Sequence, residues 1–566
     1  MSVSTTVSAK APGHARDNTD GLVGSAWWDV AAPVSILVAP VVAFAAFHEY
    51  SYFTLEFLTG IGFFSLVGIV IGLAIFRGTT WRKIAAITLL LTIYVDLQFG
   101  ELVLGIRSFW SHAILPLAFL AILVLSLWLR QHLTLLVTTV FSTIVLSTLL
   151  IPPRAAPPNY PLSPQLATNA ALPTIVHIVL DEHIGVEGLP IDLDAGAEMK
   201  RDVKAFFEDH GFYVFGKAFS RFYRSEWSLG HTLNPGRDFD PGVIARGKDR
   251  IVWEIRESDY LRQIEDAGYN INVYQFQHLD YCASIKERLS SCQTDNVSSM
   301  GAIQGTPLSL SQKLHVMASY YLYYSTIYRN LRSAYDQVAH RFVRPTAPLS
   351  QWYWERNQIG SIIGLSGIDL LREDLQDARR GEYYLAHLNT PHYPYLYDRE
   401  CRLLDPEEWA TRDIPRPLRK YVDPQAFRAH NYERYLEQMR CMYTKLGELL
   451  DTIENADALK DAVVILHGDH GSRMTLREPS VGNWASLSRA EIVDNFSTLF
   501  AVRAPAIGAG YDRRQIAVQR LLGILSERDF QSVPGTGAVD TENHVMIRDA
   551  NGWAERPIPR FGAAAD

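Results

Sequence analysis

Cysteine is scarce in this chain: there are four, and none occurs before residue 282. Basic residues are not in excess either. Lys and Arg number 53 against 61 Asp and Glu, for a net charge of −8, which excludes a globally basic nucleic-acid binder. The first 25 residues are polar, and no short apolar stretch with a cleavage site precedes the first long apolar run. That run therefore reads as a retained anchor rather than a removed signal peptide. The part of the chain after residue 173 has no internal repeat.

What is abundant is apolar length, unevenly spread. Five runs, roughly 28–47, 57–76, 84–106, 109–129 and 133–151, each approach the ~20 residues that cross a bilayer core. Five in succession predict a transmembrane domain over 28–151 behind a cytoplasmic tail, 1–27. Arg77, Arg82, Lys83 and Arg130 fall in the second and fourth loops, whereas "HEYSY" after the first run has no Lys or Arg. The positive-inside rule then predicts that everything after residue 152 is extracytoplasmic. Asp96 and Glu101 lie in the outer half of the third run, where acids face protein or a polar cavity, such as an access route for a lipid headgroup; Glu101 also fits the outer interface. "GIVIG" (68–72) has the small-residue spacing of helix packing.

Residues 152–173 form a proline-rich spacer, and 174–566 are long enough for a large soluble core. Cys282, Cys292, Cys401 and Cys441 all lie in this outer part, where an even count predicts disulfides. Local pairing gives Cys282–Cys292 and Cys401–Cys441, with the other two connectivities open. Apolar runs at 174–181, 212–219, 271–276, 383–389, 462–469 and 497–505 predict strands. Helices are expected at 427–454, from a spacing of three and four, and at about 195–210, ending at Gly211. The fold class is α/β, a largely parallel sheet flanked by helices, preceded by an all-α five-helix anchor.

Ligands of such sheets bind beyond the carboxyl ends of the strands. "IVHIVLD" ends at Asp181, followed by Glu182 and His183; "VVILHGD" ends at Asp469, followed by His470; "YYLAHLNTPHYPY" ends near His392. Each acid alone reads equally well as a turn or cap. Together they suggest one rim of oxygen and nitrogen ligands suited to zinc or manganese, with magnesium or calcium also admitted.

In this order and spacing, "VHIVLDEH", "HLNTPHYPY" and "HGDHGSR" resemble the alkaline phosphatase/sulfatase superfamily over roughly 174–520. The anchored architecture resembles lipoteichoic acid synthases and lipid A phosphoethanolamine transferases. The resemblance implies a nucleophile about 40 residues after the first acid, in "FSRFYRSEWSLGHTLN". There Ser225 takes its place, three positions before Ser228, and also reads as a helix N-cap. It implies that Asp181, Asp469 and His470 hold a divalent metal, that Ser225 completes the shell and becomes phosphorylated, and that His392 contacts the substrate. Arg224 and Arg473, with Arg221, are candidate phosphate clamps, though each also fits a solvated surface residue. Ser225 lacks the following Pro or Ala and Arg that formylglycine sulfatases require. No further histidine follows "GDHG" closely; His544 is much later, so a second metal is not expected. Glu182 and His183 fit supporting hydrogen bonds, with or without a catalytic duty.

The reading is a membrane-anchored, metal-dependent phosphoester-cleaving enzyme. It would transfer phosphoglycerol or phosphoethanolamine from a membrane phospholipid to a glycan or lipid acceptor. A sulfatase-like hydrolase or phosphodiesterase is the alternative; a noncatalytic scaffold and a transporter have less support.

Overall fold

The computed structural model describes residues 19–105, 110–150, 160, 162, 169–247, 251–297, 299–323, 325–342, 359–410, 423–475, 477–535, 543–549 and 552–561. The expected tail 1–27 and proline-rich spacer fall largely outside them. The chain forms two compact units, Met1–Arg154 with Tyr321–Leu331, and Ala155–Tyr320 with Arg332–Asp566.

In the first unit one helix covers each apolar run: Thr19–Phe47, Leu55–Ile71 with a π turn at Gly72–Phe76, Thr80–Gly105, Trp110–Trp128 and Leu133–Leu149. Among the described residues only two, Trp27–Phe47 and Leu55–Phe76, combine the length and apolarity that crossing a membrane requires. Ala113–Trp128 and Leu133–Leu149 are apolar but shorter. The expectation of five spanning helices is therefore corrected to five helices of which two have spanning character. The third is interrupted at both ends by charge, Arg82 and Lys83 at its start and Asp96 and Glu101 near its end. The "GIVIG" glycines permit close helix packing: a Cβ on Gly68 would sit 2.6 Å from Val34 Cα, and one on Gly72 would sit 2.7 Å from Val30 Cα. Leu58, Phe63, Leu66, Val70 and Leu73 of the same helix are exposed, an apolar face wider than a water-facing helix carries.

Asp96 does not line an open route. It is buried, and its carboxylate accepts hydrogen bonds from the Ser325 hydroxyl (2.5 Å), Thr326 N–H (2.9 Å) and Ile327 N–H (3.2 Å), all in the same unit. It thereby satisfies two donors at the start of the helix Thr326–Phe342 that no intrahelical carbonyl can reach. The side chain of Glu101 lies outside the described residues.

The second unit is built on one sheet. We label its strands β1 (Ile175–Leu180), β2 (Tyr213–Phe215), β3 (Asn270–Phe276), β4 (Leu289–Asp295), β5 (Glu382–Leu388), β6 (Val463–Gly468), β7 (Phe500–Arg503) and β8 (Gly510–Asp512). The order is β8-β2-β7-β6-β1-β5-β3-β4. β6, β1, β5, β3 and β4 run parallel, and only β7 pairs antiparallel with its neighbours. All six expected strands are present; β4 and β8 were not expected. Both faces of β1 are buried, which is why it reads as an uninterrupted apolar run. Val176, Ile178 and Leu180 share a core with Leu436 and Met439 of the long helix Pro424–Asn455. Ile175 and Val179 join the opposite core with Leu521 and Leu525. The helix expected at 195–210 spans Asp194–Asp209, and Gly211 closes it with a φ of +72°, a left-handed conformation that glycine adopts without strain.

Both local disulfides are formed, Cys282–Cys292 and Cys401–Cys441. The second, with a sequence separation of 40, fastens the loop after "PHYPY" to the long helix. Replacing both Cys401 and Cys441 by serine should cost about 3–4 kcal/mol on the chain-entropy account. Urea unfolding of the purified protein measures this, and an unchanged midpoint would refute it.

Between the sheet and its second core lies a buried polar pair. His467 Nδ1–H donates to the Gly468 carbonyl (2.8 Å), which leaves Nε2 to accept from His177 Nε2–H at 2.8 Å. His177 Nδ1 then accepts from the Tyr383 hydroxyl at 2.7 Å. Both rings are neutral by this count. Burial, with His467 beside it, holds His177 well below 6.5, and burial pushes His467 down to about 4. The unfolded chain takes up protons at these positions near 6.5, before the folded one does. Their contribution to stability is thus full above about pH 6.5 and is lost as pH falls toward 4. Melting temperature should decline across that window, and less steeply in His177→Asn; equal slopes in both proteins would refute the assignment.

Candidate active site

Because β6, β1 and β5 are parallel neighbours, their carboxyl ends share one edge. The residues following them, Asp181, Asp469–His470 and His392, are buried there. One ligand atom each from Asp181, Asp469 and His470 lie within 4.8 Å of one another. A second set, Asp181, Glu182 and His392, meets the same limit and shares Asp181 with the first.

The orientation of each group follows from its neighbours. Asp469 Oδ1 accepts the backbone N–H of Glu182 (2.9 Å) and of His470 (2.8 Å). Asp469 Oδ2 and Asp181 Oδ1 have no hydrogen-bond partner among the described residues. His470 Nδ1–H donates to the Gly471 carbonyl at 2.9 Å, which presents its Nε2 lone pair to the cluster. Nε2 stands 3.1 Å from Asp469 Oδ2 and 3.3 Å from Ser225 Oγ.

Ser225 opens the helix Ser225–Thr232. Arg224, not Ser225, is the N-cap, and its side chain does not cap; the expected N-cap role for Ser225 is corrected by one residue. The serine hydroxyl is thereby left for the cluster. One turn on, Ser228 points elsewhere: its hydroxyl donates to the Asp469 carbonyl (2.5 Å) and bonds Ser220 Oγ at 2.8 Å. Ser228 braces the Asp469 turn from behind.

Glu182 is buried with a φ of +64°, a conformation a non-glycine residue adopts only when its surroundings enforce it. The Tyr435 hydroxyl donates to its carbonyl at 2.8 Å. Its carboxylate is gripped by the Arg473 guanidinium (Nε at 3.0 Å) and lies 3.5 Å from His392 Nε2. Arg473 thus belongs to the site as the partner of a carboxylate. Arg224 does not join it: its exposed guanidinium pairs with Glu478 at 3.2 Å. Arg221 turns toward Glu555 at 3.5 Å. His183 engages the Ile184 carbonyl and the Tyr443 hydroxyl, both at 2.8 Å, as a supporting group. His544 begins the C-terminal hairpin and is in neither set.

The sequence reading missed His387, near the end of β5. It is buried, its Nδ1 is 2.9 Å from the Tyr281 hydroxyl, and its Nε2, 3.9 Å from Asp181 Oδ2, has no hydrogen-bond partner among the described residues. Its one signal was an imidazole five residues before His392.

Three buried carboxylates, Asp181, Glu182 and Asp469, face one guanidinium, Arg473. Burial, with Asp469 and Glu182 close by, pushes the Asp181 carboxyl well above the usual carboxylate range. Burial likewise raises Asp469. Acids in this state are a cost of several kcal/mol per uncompensated ion. The two partnerless oxygens and the presented imidazole nitrogen are the donor set that a divalent cation takes up. The residues present fit such an ion.

Carboxylates and imidazoles at the carboxyl edge of a mostly parallel sheet, with a serine hydroxyl among them, define a site able to hold a cation and carry out nucleophilic ester chemistry. No family model and no curated protein matches the chain. It is similar in structure to the C-terminal periplasmic domain of EcEptC from Escherichia coli, in complex with Zn, at 12% identity and TM-score 0.37, covering 71% of this chain and 96% of that one. It is also similar to a protein in the alkaline phosphatase superfamily from Vibrio parahaemolyticus, at 10% identity and TM-score 0.34, covering 71% and 79%. The phosphonate monoester hydrolase of Agrobacterium radiobacter gives 13% identity and TM-score 0.35, covering 67% and 82%.

Proposed function

We propose that this chain is a membrane-anchored, metal-dependent enzyme of the alkaline phosphatase/sulfatase type. It moves phosphoglycerol or phosphoethanolamine from a membrane phospholipid to a glycan or lipid acceptor through a phospho-Ser225 intermediate. The observation that carries this reading is the Ser225 hydroxyl 3.3 Å from His470 Nε2, beside Asp181 Oδ1 and Asp469 Oδ2, which accept no hydrogen bond among the described residues. Asp181, Asp469 and His470 would hold the cation, zinc or manganese by donor type, with Ser225 completing the set. When bound, it supplies a lowered serine pKa and neutralisation of charge on the phosphoryl oxygens.

Ser225 would lose its hydroxyl proton to solvent as its Oγ bonds to phosphorus and the bond from phosphorus to the lipid alcohol breaks. His392, whose Nε2 lies 3.5 Å from Glu182, would enter as an imidazolium and give that alcohol its proton. Arg473 neutralises Glu182 and fixes it. An acceptor hydroxyl would then give its proton to His392 as its oxygen bonds to phosphorus and the bond to Ser225 Oγ breaks, with Ser225 regaining a proton from solvent. The lipid donor is favoured by the two helices of spanning character and their exposed apolar faces. The two disulfides favour an extracytoplasmic outer unit on the cytoplasmic membrane.

Incubating the protein with phospholipid vesicles and mapping the Ser225 peptide by mass tests the intermediate. A transferase hands the adduct to an added alcohol faster than to water, and equal partition would favour the hydrolase alternative. For orientation, a C-terminal fluorescent reporter that folds only in the cytoplasm should stay dark; a bright fusion would place the outer unit inside.

A further inference from the structure

The helix Thr326–Phe342 carries an apolar stripe that is exposed among the described residues. Leu331, Tyr335 and Val338 are 67%, 65% and 59% exposed, and Ala334 beside them is exposed as well. Their spacing of three and four residues puts them on one face. A water-facing helix does not gather large apolar side chains in this way. The helix sequence is basic, with three arginines against one aspartate. The Arg332 guanidinium lies over the Tyr335 ring, 5.4 Å from its centre.

The first turn of this helix is not free to wander. Asp96, in the third helix of the apolar unit, takes its Thr326 and Ile327 N–H groups and the Ser325 hydroxyl. Tyr321–Leu331 belong to that unit, although more than 150 residues of the outer unit precede them in the chain. The Gln98 side chain also reaches the Tyr321 hydroxyl, at 3.4 Å. An amphipathic helix of basic sequence, its first turn held by a helix of an apolar bundle, has the properties of an in-plane interfacial element.

We infer that Thr326–Phe342 lies in the lipid–water interface of an anionic membrane, with Leu331, Tyr335 and Val338 in the acyl boundary and Arg332 among the headgroup phosphates. This rests on the membrane anchoring proposed above. It adds a second membrane attachment, inserted in the middle of the sequence of the outer unit rather than at its start.

All four cysteines are in disulfides, so a cysteine added by substitution is the one free thiol. The full chain is reconstituted in phosphatidylglycerol/phosphatidylcholine vesicles with a nitroxide at Tyr335→Cys or Val338→Cys. Leu66→Cys, on the exposed apolar face of Leu55–Ile71, is the lipid reference, and Lys460→Cys, 65% exposed, is the aqueous one. Relaxation by dissolved oxygen and by a water-soluble nickel complex reports depth. The labels at 335 and 338 should show an oxygen-to-nickel ratio severalfold above that at 460 and below that at 66. A ratio equal to that at 460, with 66 in lipid, overturns the interfacial helix and leaves the anchoring intact. Protection from both reagents at 335 and 338 overturns it in favour of a protein partner. Nickel access at 66 removes the anchoring and this inference together.

Discussion

Ser225→Ala should lower turnover by about a thousandfold or more, the scale on which an enzyme loses its nucleophile, while leaving the melting temperature of the metal-free protein near that of the native one. The hydroxyl lies 3.3 Å from His470 Nε2 and beside the Asp469 carboxylate, and it supplies little packing. Ser228→Ala should do the reverse. Its hydroxyl is fully buried between the Asp469 carbonyl, Ser220 and Gln519, so removal leaves buried polar groups without a partner. That costs about 1–3 kcal/mol of stability, with the phosphoryl adduct still forming on Ser225. The two serines are separated by one helical turn, and the pair of variants separates them by observable. A phosphoryl adduct found on Ser228, or full activity in Ser225→Ala, would end the covalent Ser225 mechanism. If both variants turn over normally, a water nucleophile replaces serine.

The rim of the site was legible because a parallel sheet leaves little freedom. An apolar run that ends in an acid puts that acid at the carboxyl edge, and two such runs, before Asp181 and Asp469, converge with a third that leads to His392 once their strands are neighbours. Ser225 was legible only through its resemblance to a family pattern. What escaped depends on contacts that sequence order does not carry. His387 sits inside "YYLAHLN", where an imidazole reads as core, and only the register beside β1 brings it to Asp181. The left-handed conformation of Glu182, which aims its carboxylate between Arg473 and His392, is set by Tyr435 and Asp469, more than 250 residues away in sequence. The partner of Asp96 is 229 residues distant. β4, "LSSCQTD", pairs with one neighbour only and is half-exposed, so it has no apolar run to announce it. The five apolar runs predicted helices correctly, but the charges in the third helix and the shorter apolar lengths of the last two leave only two of spanning character among the described residues.

Asp469→Asn should abolish metal binding and activity, and its effect on stability should change sign with the metal. In the metal-free protein Asp181, Glu182 and Asp469 are buried together against Arg473, and burial raises both Asp181 and Asp469. Asparagine removes one of these charges and keeps an Oδ1 to accept the N–H groups of Glu182 and His470. Without metal, the variant should therefore melt at or above the temperature of the native protein near neutral pH. With metal the order inverts, because only the native donor set gains the binding free energy, about 2.7 kcal/mol at a hundred times the dissociation constant. Acid should erase the native advantage: the raised carboxyls take up protons at a pH where ordinary carboxylates are still ionised, and each proton competes directly with the cation. Melting curves of both proteins after chelation and after adding zinc or manganese, at neutral and mildly acidic pH, give all four comparisons. A metal-induced rise of equal size in the native protein and Asp469→Asn would place the cation elsewhere. A chelated variant far less stable than the chelated native protein would mean that the carboxylate at 469 is needed for folding rather than for holding metal.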